Sequence, residues 1–490
     1  MKIVIVGGGT SAWMTAAAFC KRFPDFEVTL IKGDTPSGVG ESTTPHFNQY
    51  LKFMGITDEV FLKNVRATYK SSSRFEDFSS LGEVFHYPNG QSVRTDITFH
   101  QWMQAKALFP NTPPFAEVFM PFVTIAEQGK LPLNHPKLTP YDLSKDRSFH
   151  LDAKSFIKFL ETSFCKGVEI LDSKVKSVRY DGQRIKHVVV ERGPYDNGPK
   201  TVYGDLYIDC TGQTGALIGA LSPWKDYEGI LTDTALVTRT EYTNKEKQMV
   251  PYTNAKGMSA GWTWTIPTRD YISRGYVFSS KFQKESDAAE EFGWDEYKVV
   301  KFSNGRRLRA WVGNCISIGI SQGFIEPLES TGLFNTHHAI LSLMDILEQT
   351  KLPTTFHRDI FNRNMSEHMD GWCEFVEAHY YYSKRHDTPF WRAVTEGTDY
   401  VGEAHQTIID HVVSGEPFPH AQDPIVYIFA GSGNTNYNTR LMEFFGEVPE
   451  VDAWAVQNWS IRTMQVKDLA DQMPTMNSYL EGLDKDGGLA

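Results

Sequence analysis

The chain has 490 residues, enough for two or three domain-sized units with a large core. Its formal charge is -11 and its 49 basic residues are scattered, which argues against nucleic acid or an anionic membrane as partner and leaves a small substrate open. Five cysteines, far apart and without a C-x-x-C pair, argue against a disulfide framework and a zinc site, so no metal is expected. A reducing cytoplasm is the expected setting, since neither a cleavable leader nor an apolar span of membrane length is present.

Residues 2–6 (KIVIV) read as a buried parallel strand, Gly7-Gly8-Gly9 turns the chain, and 11–22 carry helical periodicity before the next strand at 27–31. This βαβ unit opens an α/β domain. Between 81 and 145, many Pro, Gly and aromatic residues with poor periodicity predict long excursions over a binding face. A helix is expected over 151–167, then strands over 168–190 with a hairpin through Asp181-Gly182. Residues 206–210 form another buried strand, 262–266 and 274–280 two sheet strands, and 317–322 lead through a loop to a helix over 331–349. After Pro353 the pattern is mostly helical, broken by a Gly/Asn-rich loop at 431–436, and 483–490 are expected to fray.

Two motifs carry chemistry. Gly7-x-Gly9-x-x-Ala12 follows a strand and opens a helix, the context in which such a turn accepts a dinucleotide pyrophosphate on free helix N–H groups. The acid expected at the end of the second strand is replaced by Lys32; either Asp34, two residues on, substitutes for it, or the adenosine end is held loosely. FAD is favoured over NAD because Leu206-Tyr207-Ile208-Asp209-Cys210-Thr211-Gly212 and 314–319 supply further strand–turn pieces, as a two-part FAD site uses. Secondly, Gly261-Trp262-Thr263-Trp264-Thr265-Ile266-Pro267 places both indoles on one face of a strand, where stacked side by side they would form a wall.

GGGTSAW (7–13), GVGESTTP (38–45), GWTWTIP (261–267), FIEPLESTG (324–332) and HYYYSKRHDTPFW (379–391) together resemble the flavin-dependent halogenases, in their tryptophan-halogenase-like branch. The resemblance implies an α/β fold: an FAD-binding two-part box of the aromatic-hydroxylase (GxGxxG) type over 1–350, and a mainly helical substrate module over 351–490. It implies that reduced FAD from a separate flavin reductase, O₂ and a halide yield hypohalous acid. This acid travels through a tunnel to a small aromatic substrate. Lys70 matches the catalytic lysine of the family, and Glu329 its catalytic carboxylate. FAD falls to Gly7, Gly9, Thr10, Ser11, Ala12, Gly40, Glu41, Ser42, Gly319 and Ser330. Halide falls to Thr331 and Gly332 at a helix start, and the partition between flavin and substrate to Trp262, Trp264, Ile266 and Pro267.

The rival reading of the same fold is an FAD-dependent aromatic hydroxylase, which needs neither Lys70 nor a tryptophan wall. The amino-acid-gripping tyrosine–glutamate set of tryptophan-specific members of the family does not map residue by residue onto 425–464, and Phe85-His86-Tyr87-Pro88 departs from the family's His-Pro-Phe clamp. An indole, a phenol-like ring or a larger aromatic is therefore equally open as substrate, and a homo-oligomer is the expected assembly.

Overall fold

A computed structural model describes residues 1–33, 40–90, 94, 96–191, 198–396, 403–414, 424–434 and 451–486. Asp34 lies outside them, as do 435 and 436 of the Gly/Asn-rich loop and the last four residues. The chain forms two compact units, each assembled from three separate stretches: 1–67, 151–228 and 301–373 in the first, and 68–150, 229–300 and 374–490 in the second. Position 350 falls inside the third stretch of the first unit.

The first unit is built on a six-stranded sheet in the order Trp311–Val312, Cys315–Ser317, Leu206–Asp209, Lys2–Val6, Glu27–Ile31 and Glu169–Leu171. All neighbours are parallel except the first pair. A parallel sheet buries both faces, which is why KIVIV and LYID read as almost continuous apolar runs. Helices Thr10–Arg22, Ala153–Phe164 and Thr331–Gln349 belong to this unit. A three-stranded antiparallel sheet, Val175–Asp181, Arg184–Val190 and Lys200–Val202, packs Ile185, Val188 and Val190 into the same core as Val4 and Tyr207. The expected hairpin is present, with Gly182 at φ 58°.

The second unit centres on a seven-stranded sheet in which Thr234–Thr240, Ile272–Phe278, Gly261–Pro267, Tyr252–Gly257, Ser72–Glu76 and Val84–Pro88 stand in that order. Only Tyr252–Gly257 and Ser72–Glu76 pair in parallel among these. The region 81–145 is more regular than its composition predicts. It holds Val84–Pro88 as a strand and short helices at Phe99–Leu108, Phe115–Phe119, Val123–Glu127 and Leu143–Asp146. Thr98 and Gln101 make a capping box for the first of them. The expected fraying at the C-terminus is corrected for 483–486: helix Met476–Asp486 buries Met476 and Leu480, and Asp484 pairs with Arg269. No helix among the described residues is long and apolar enough to cross a membrane.

Candidate active site

In the first unit the glycine turn has the geometry its sequence requires. Gly7 sits at φ 143°, and a Cβ there would come within 2.3 Å of the Cys210 carbonyl oxygen, so only glycine lets the two strand ends approach. Gly9 occupies the N-cap of Thr10–Arg22 with no side-chain cap, and its carbonyl accepts from Ala12 N and Trp13 N. The helix start therefore keeps donors for an anion, and the buried Trp13 Nε1 has no partner among the described residues. Ala12 is fully buried. This arrangement fits a dinucleotide pyrophosphate.

Strand Gly40–Ser42 carries Glu41 between two buried residues, and Thr10 Oγ1 donates to Glu41 Oε1 at 3.1 Å. Burial pushes the Glu41 carboxyl up to about 7, with Asp152 adding to the rise and Thr10 opposing it. The glycine turn and the Gly40–Ser42 strand are thus hydrogen-bonded to each other. Gly319 lies against Ser11, and Ser11 Oγ is 3.1 Å from Thr336 Oγ1, which ties the first helix to the helix Thr331–Gln349. Asp209, whose importance the sequence alone does not single out, organises the other strand end. Its carboxylate accepts from Thr211 N and Oγ1 at 2.9 and 2.7 Å, and from Leu217 N and Ile218 N at 2.7 and 2.8 Å.

Glu329 ends the 3₁₀ turn Pro327–Glu329 and is buried. Ser330, next in the chain, is a non-glycine residue in the left-handed region at φ 60°, a conformation that costs free energy and concentrates at functional sites. It brings the chain into Thr331–Gln349 without any side-chain cap. Among the described residues the buried Thr331 hydroxyl has no partner, and the space around the Gly332 Cα is open. An uncapped helix start with an unsatisfied buried hydroxyl fits a small anion such as a halide. His337 faces inward and its Nδ1 donates to Leu333 O at 2.9 Å, while His338 stacks on His368, so the adjacent imidazoles diverge as a helix demands.

In the second unit Lys70 is 1% exposed, a rare condition for a lysine. It closes the strand Thr68–Lys70, which pairs antiparallel with Ser148–Asp152 through Thr68↔His150 and Lys70↔Ser148. Its carbonyl accepts from Asn89 Nδ2 and Ser148 Oγ, both at 3.2 Å. Trp262, Trp264 and Ile266 are buried on one face of Gly261–Pro267, with Thr263 and Thr265 alternating. The indoles stand side by side at 6.2 Å, but their planes are tilted by 54°, which corrects the expected stack. The reason is the neighbouring strand: Trp264 is paired with Gly275, and a Cβ on Gly275 would lie 2.1 Å from the indole. Trp264 therefore lies over the glycine, with Nε1 donating to Ser273 Oγ at 3.3 Å. Pro267 ends the strand, and its carbonyl accepts from Thr68 Oγ1 at 3.1 Å, which joins the lysine strand to the tryptophan strand. His86 serves a polar network with Ser72 Oγ and Glu127 Oε2, each at 2.9 Å.

The chain as a whole is similar to a known class, the flavin-dependent halogenases. BrvH, a flavin-dependent halogenase from Brevundimonas sp. BAL3, superposes with a TM-score of 0.83 at 28% identity, covering 98% of this chain and 99% of that one. The VirX1 apo structure superposes with a TM-score of 0.88 at 31% identity over 98% of each chain. Tryptophan 7-halogenase RebH of Lentzea aerocolonigenes is 31% identical over 433 residues, 81% of this chain and 79% of its own. The family model for tryptophan halogenase matches residues 2–445, and the chain belongs to that family. Membership makes it an enzyme with an α/β fold of substantial helical content, and it carries FAD-dependent halogenation of an aromatic substrate.

Proposed function

We propose that this chain halogenates a small indole-like aromatic, using FADH₂ from a separate flavin reductase, O₂ and a halide, by way of hypohalous acid. The observation that carries the reading is the burial of Lys70 on a strand that Thr68 fastens to the end of the tryptophan strand. Gly7, Gly9, Thr10, Ser11, Ala12, Gly40, Glu41, Ser42, Gly319 and Ser330 would hold FAD, which in its reduced form would activate O₂, the oxidant that converts halide to hypohalous acid and leaves its other oxygen as water. Thr331 and Gly332 hold the halide through the helix start and the Thr331 hydroxyl. The Lys70 ammonium donates hydrogen bonds to the hypohalous acid and makes its halogen more electrophilic. Glu329 accepts the proton that the ring loses. Trp262, Trp264, Ile266 and Pro267 keep the aromatic substrate from the flavin, so that oxygen reaches halide instead of the ring. The helical part beyond 350 supplies substrate contacts, and the enzyme works as a homo-oligomer in the cytoplasm.

The test supplies FAD, a flavin reductase, NADH, O₂ and bromide or chloride, and screens indoles and phenols by mass spectrometry. Wild type is expected to give halogenated product, and Lys70→Ala to bind FAD yet give none. A Lys70→Ala variant as active as wild type would sink the assignment, and a hydroxylated product formed without halide would replace it with the aromatic hydroxylase.

A further inference from the structure

The face of the sheet that carries Lys70 is polar and sealed. In the antiparallel pair of Thr68–Lys70 with Ser148–Asp152, alternation puts Thr68, Lys70, Ser148 and His150 on one side. All four are buried, His150 completely. Because Thr68 is directly opposite His150, Lys70 is the diagonal neighbour of the imidazole, a separation that a lysine side chain spans.

The hydrogen bonds fix which ring nitrogen carries the proton. The Thr68 hydroxyl donates to the Pro267 carbonyl, so its oxygen can only accept from His150 Nδ1, 3.5 Å away. With the proton on Nδ1, Nε2 is the acceptor, and it accepts a hydrogen bond from the Thr253 hydroxyl at 2.9 Å. The ring thus bridges three strands: that of Lys70 through Thr68, that of Thr253, and that of Pro267 through the shared threonine. Burial, then the charge on Lys70, push His150 well below the usual imidazole range, while the Pro267 carbonyl opposes the fall. Lys70 is the charged group acting on it.

We propose that His150 is a positioning residue for Lys70, holding the lysine strand against the end of the tryptophan strand and presenting to the ammonium an imidazole locked in its Nδ1–H form by Thr68 and Thr253. This deepens, and rests on, the reading of Lys70 as the residue that handles the electrophile. A buried ammonium needs polar surroundings without a second positive charge. An imidazolium at about 7 Å would weaken proton binding by Lys70 about fiftyfold at an effective dielectric constant near 20. A neutral, hydrogen-bonded ring supplies the dipole without that repulsion.

The experiment reads both residues without flavin, halide or substrate. In the full chain labelled with ¹³C-lysine and ¹⁵N-histidine, the Lys70 resonance is assigned by its loss in Lys70→Arg, and His150 by its loss in His150→Gln. At neutral pH the His150 nitrogens are expected to show a neutral ring with the proton on Nδ1. His150→Phe is expected to weaken proton binding by Lys70 about tenfold, and His150→Gln, which keeps a polar partner for Thr253, to leave it within about threefold. Under the halogenation assay His150→Phe should lower kcat about tenfold with KM little changed, and His150→Gln should recover most of it. An imidazolium or an Nε2–H ring in wild type would overturn the proposal, as would a Lys70 titration identical in wild type and His150→Phe. The nuclear resonance measurement decides it whatever Lys70→Ala does to activity, so failure of the one is distinct from failure of the other.

Discussion

Glu41 is an acid whose charge is set by burial rather than by pairing. Its carboxyl is pushed up to about 7 from an ordinary 4.5. A raised acid favours the folded state fully below about 4.5, and that contribution fades as pH climbs through 7. Glu41→Gln, which never ionises, should therefore melt close to wild type at pH 5 and above it at pH 8. The gap should be at most about 3 kcal/mol, measured by thermal unfolding of the apoprotein across that range. If the gap shrinks as pH rises, the burial argument is wrong. Residues of this kind were only partly legible. Lys70, Glu329 and Glu41 stand in recognisable strings, and Gly7 announces its turn. His150 and Asp209 did not stand out, because a histidine in FHLD or an aspartate in LYID looks like strand filler until the partners at 68, 253, 211, 217 and 218 are known.

Strands and helices were more readable than their mutual packing. The period-two pattern of GWTWTIP places both indoles on one face, as observed, yet the tilt between them depends on Gly275 in another strand. Nothing in the heptapeptide encodes that. Gly275→Ala should therefore push Trp264 aside and cost about 2–3 kcal/mol, the usual penalty of overpacking. Near-ultraviolet circular dichroism and urea unfolding would register it, and unchanged values would show that Trp264 is not pinned there. The C-terminal helix teaches the converse. Its polar sequence suggests a loose end, but Met476 and Leu480 are buried, Arg269 bonds Leu480 O as well as Asp484, and Tyr479 meets Tyr69 beside Lys70. Deleting 475–490 should cost about 3–6 kcal/mol, the worth of two fully buried apolar side chains, on urea unfolding of the full-length chain against the truncation. A loss below about 1 kcal/mol would contradict that packing.

At the scale of the whole molecule, the α/β class and the helical content after 353 follow from periodicity, whereas the partition of the chain into units does not. Long-range pairing decides it: Arg306 bonds both oxygens of Asp370 at 2.8 and 2.7 Å, Tyr227 reaches the same carboxylate at 2.8 Å, and Asn362 exchanges hydrogen bonds with Trp311. A fragment ending at residue 350 lacks Asn362 and Asp370. It should fail to unfold cooperatively in urea, while one ending at 373 keeps the three stretches of the first unit. A sharp transition from the 1–350 fragment would show that these bonds are dispensable.

The interleaving also bears on how the protein is made. Tyr69 leaves the ribosome early, but the helix that packs on it, Met476–Asp486, emerges about 400 residues later, or some 20–80 s at ordinary bacterial-to-eukaryotic elongation rates. For most of synthesis the strand that carries Tyr69 therefore lacks the helix that covers it. Expression of folded enzyme should depend on chaperone capacity and rise when translation and temperature are lowered, because the second unit closes only when its last helix arrives.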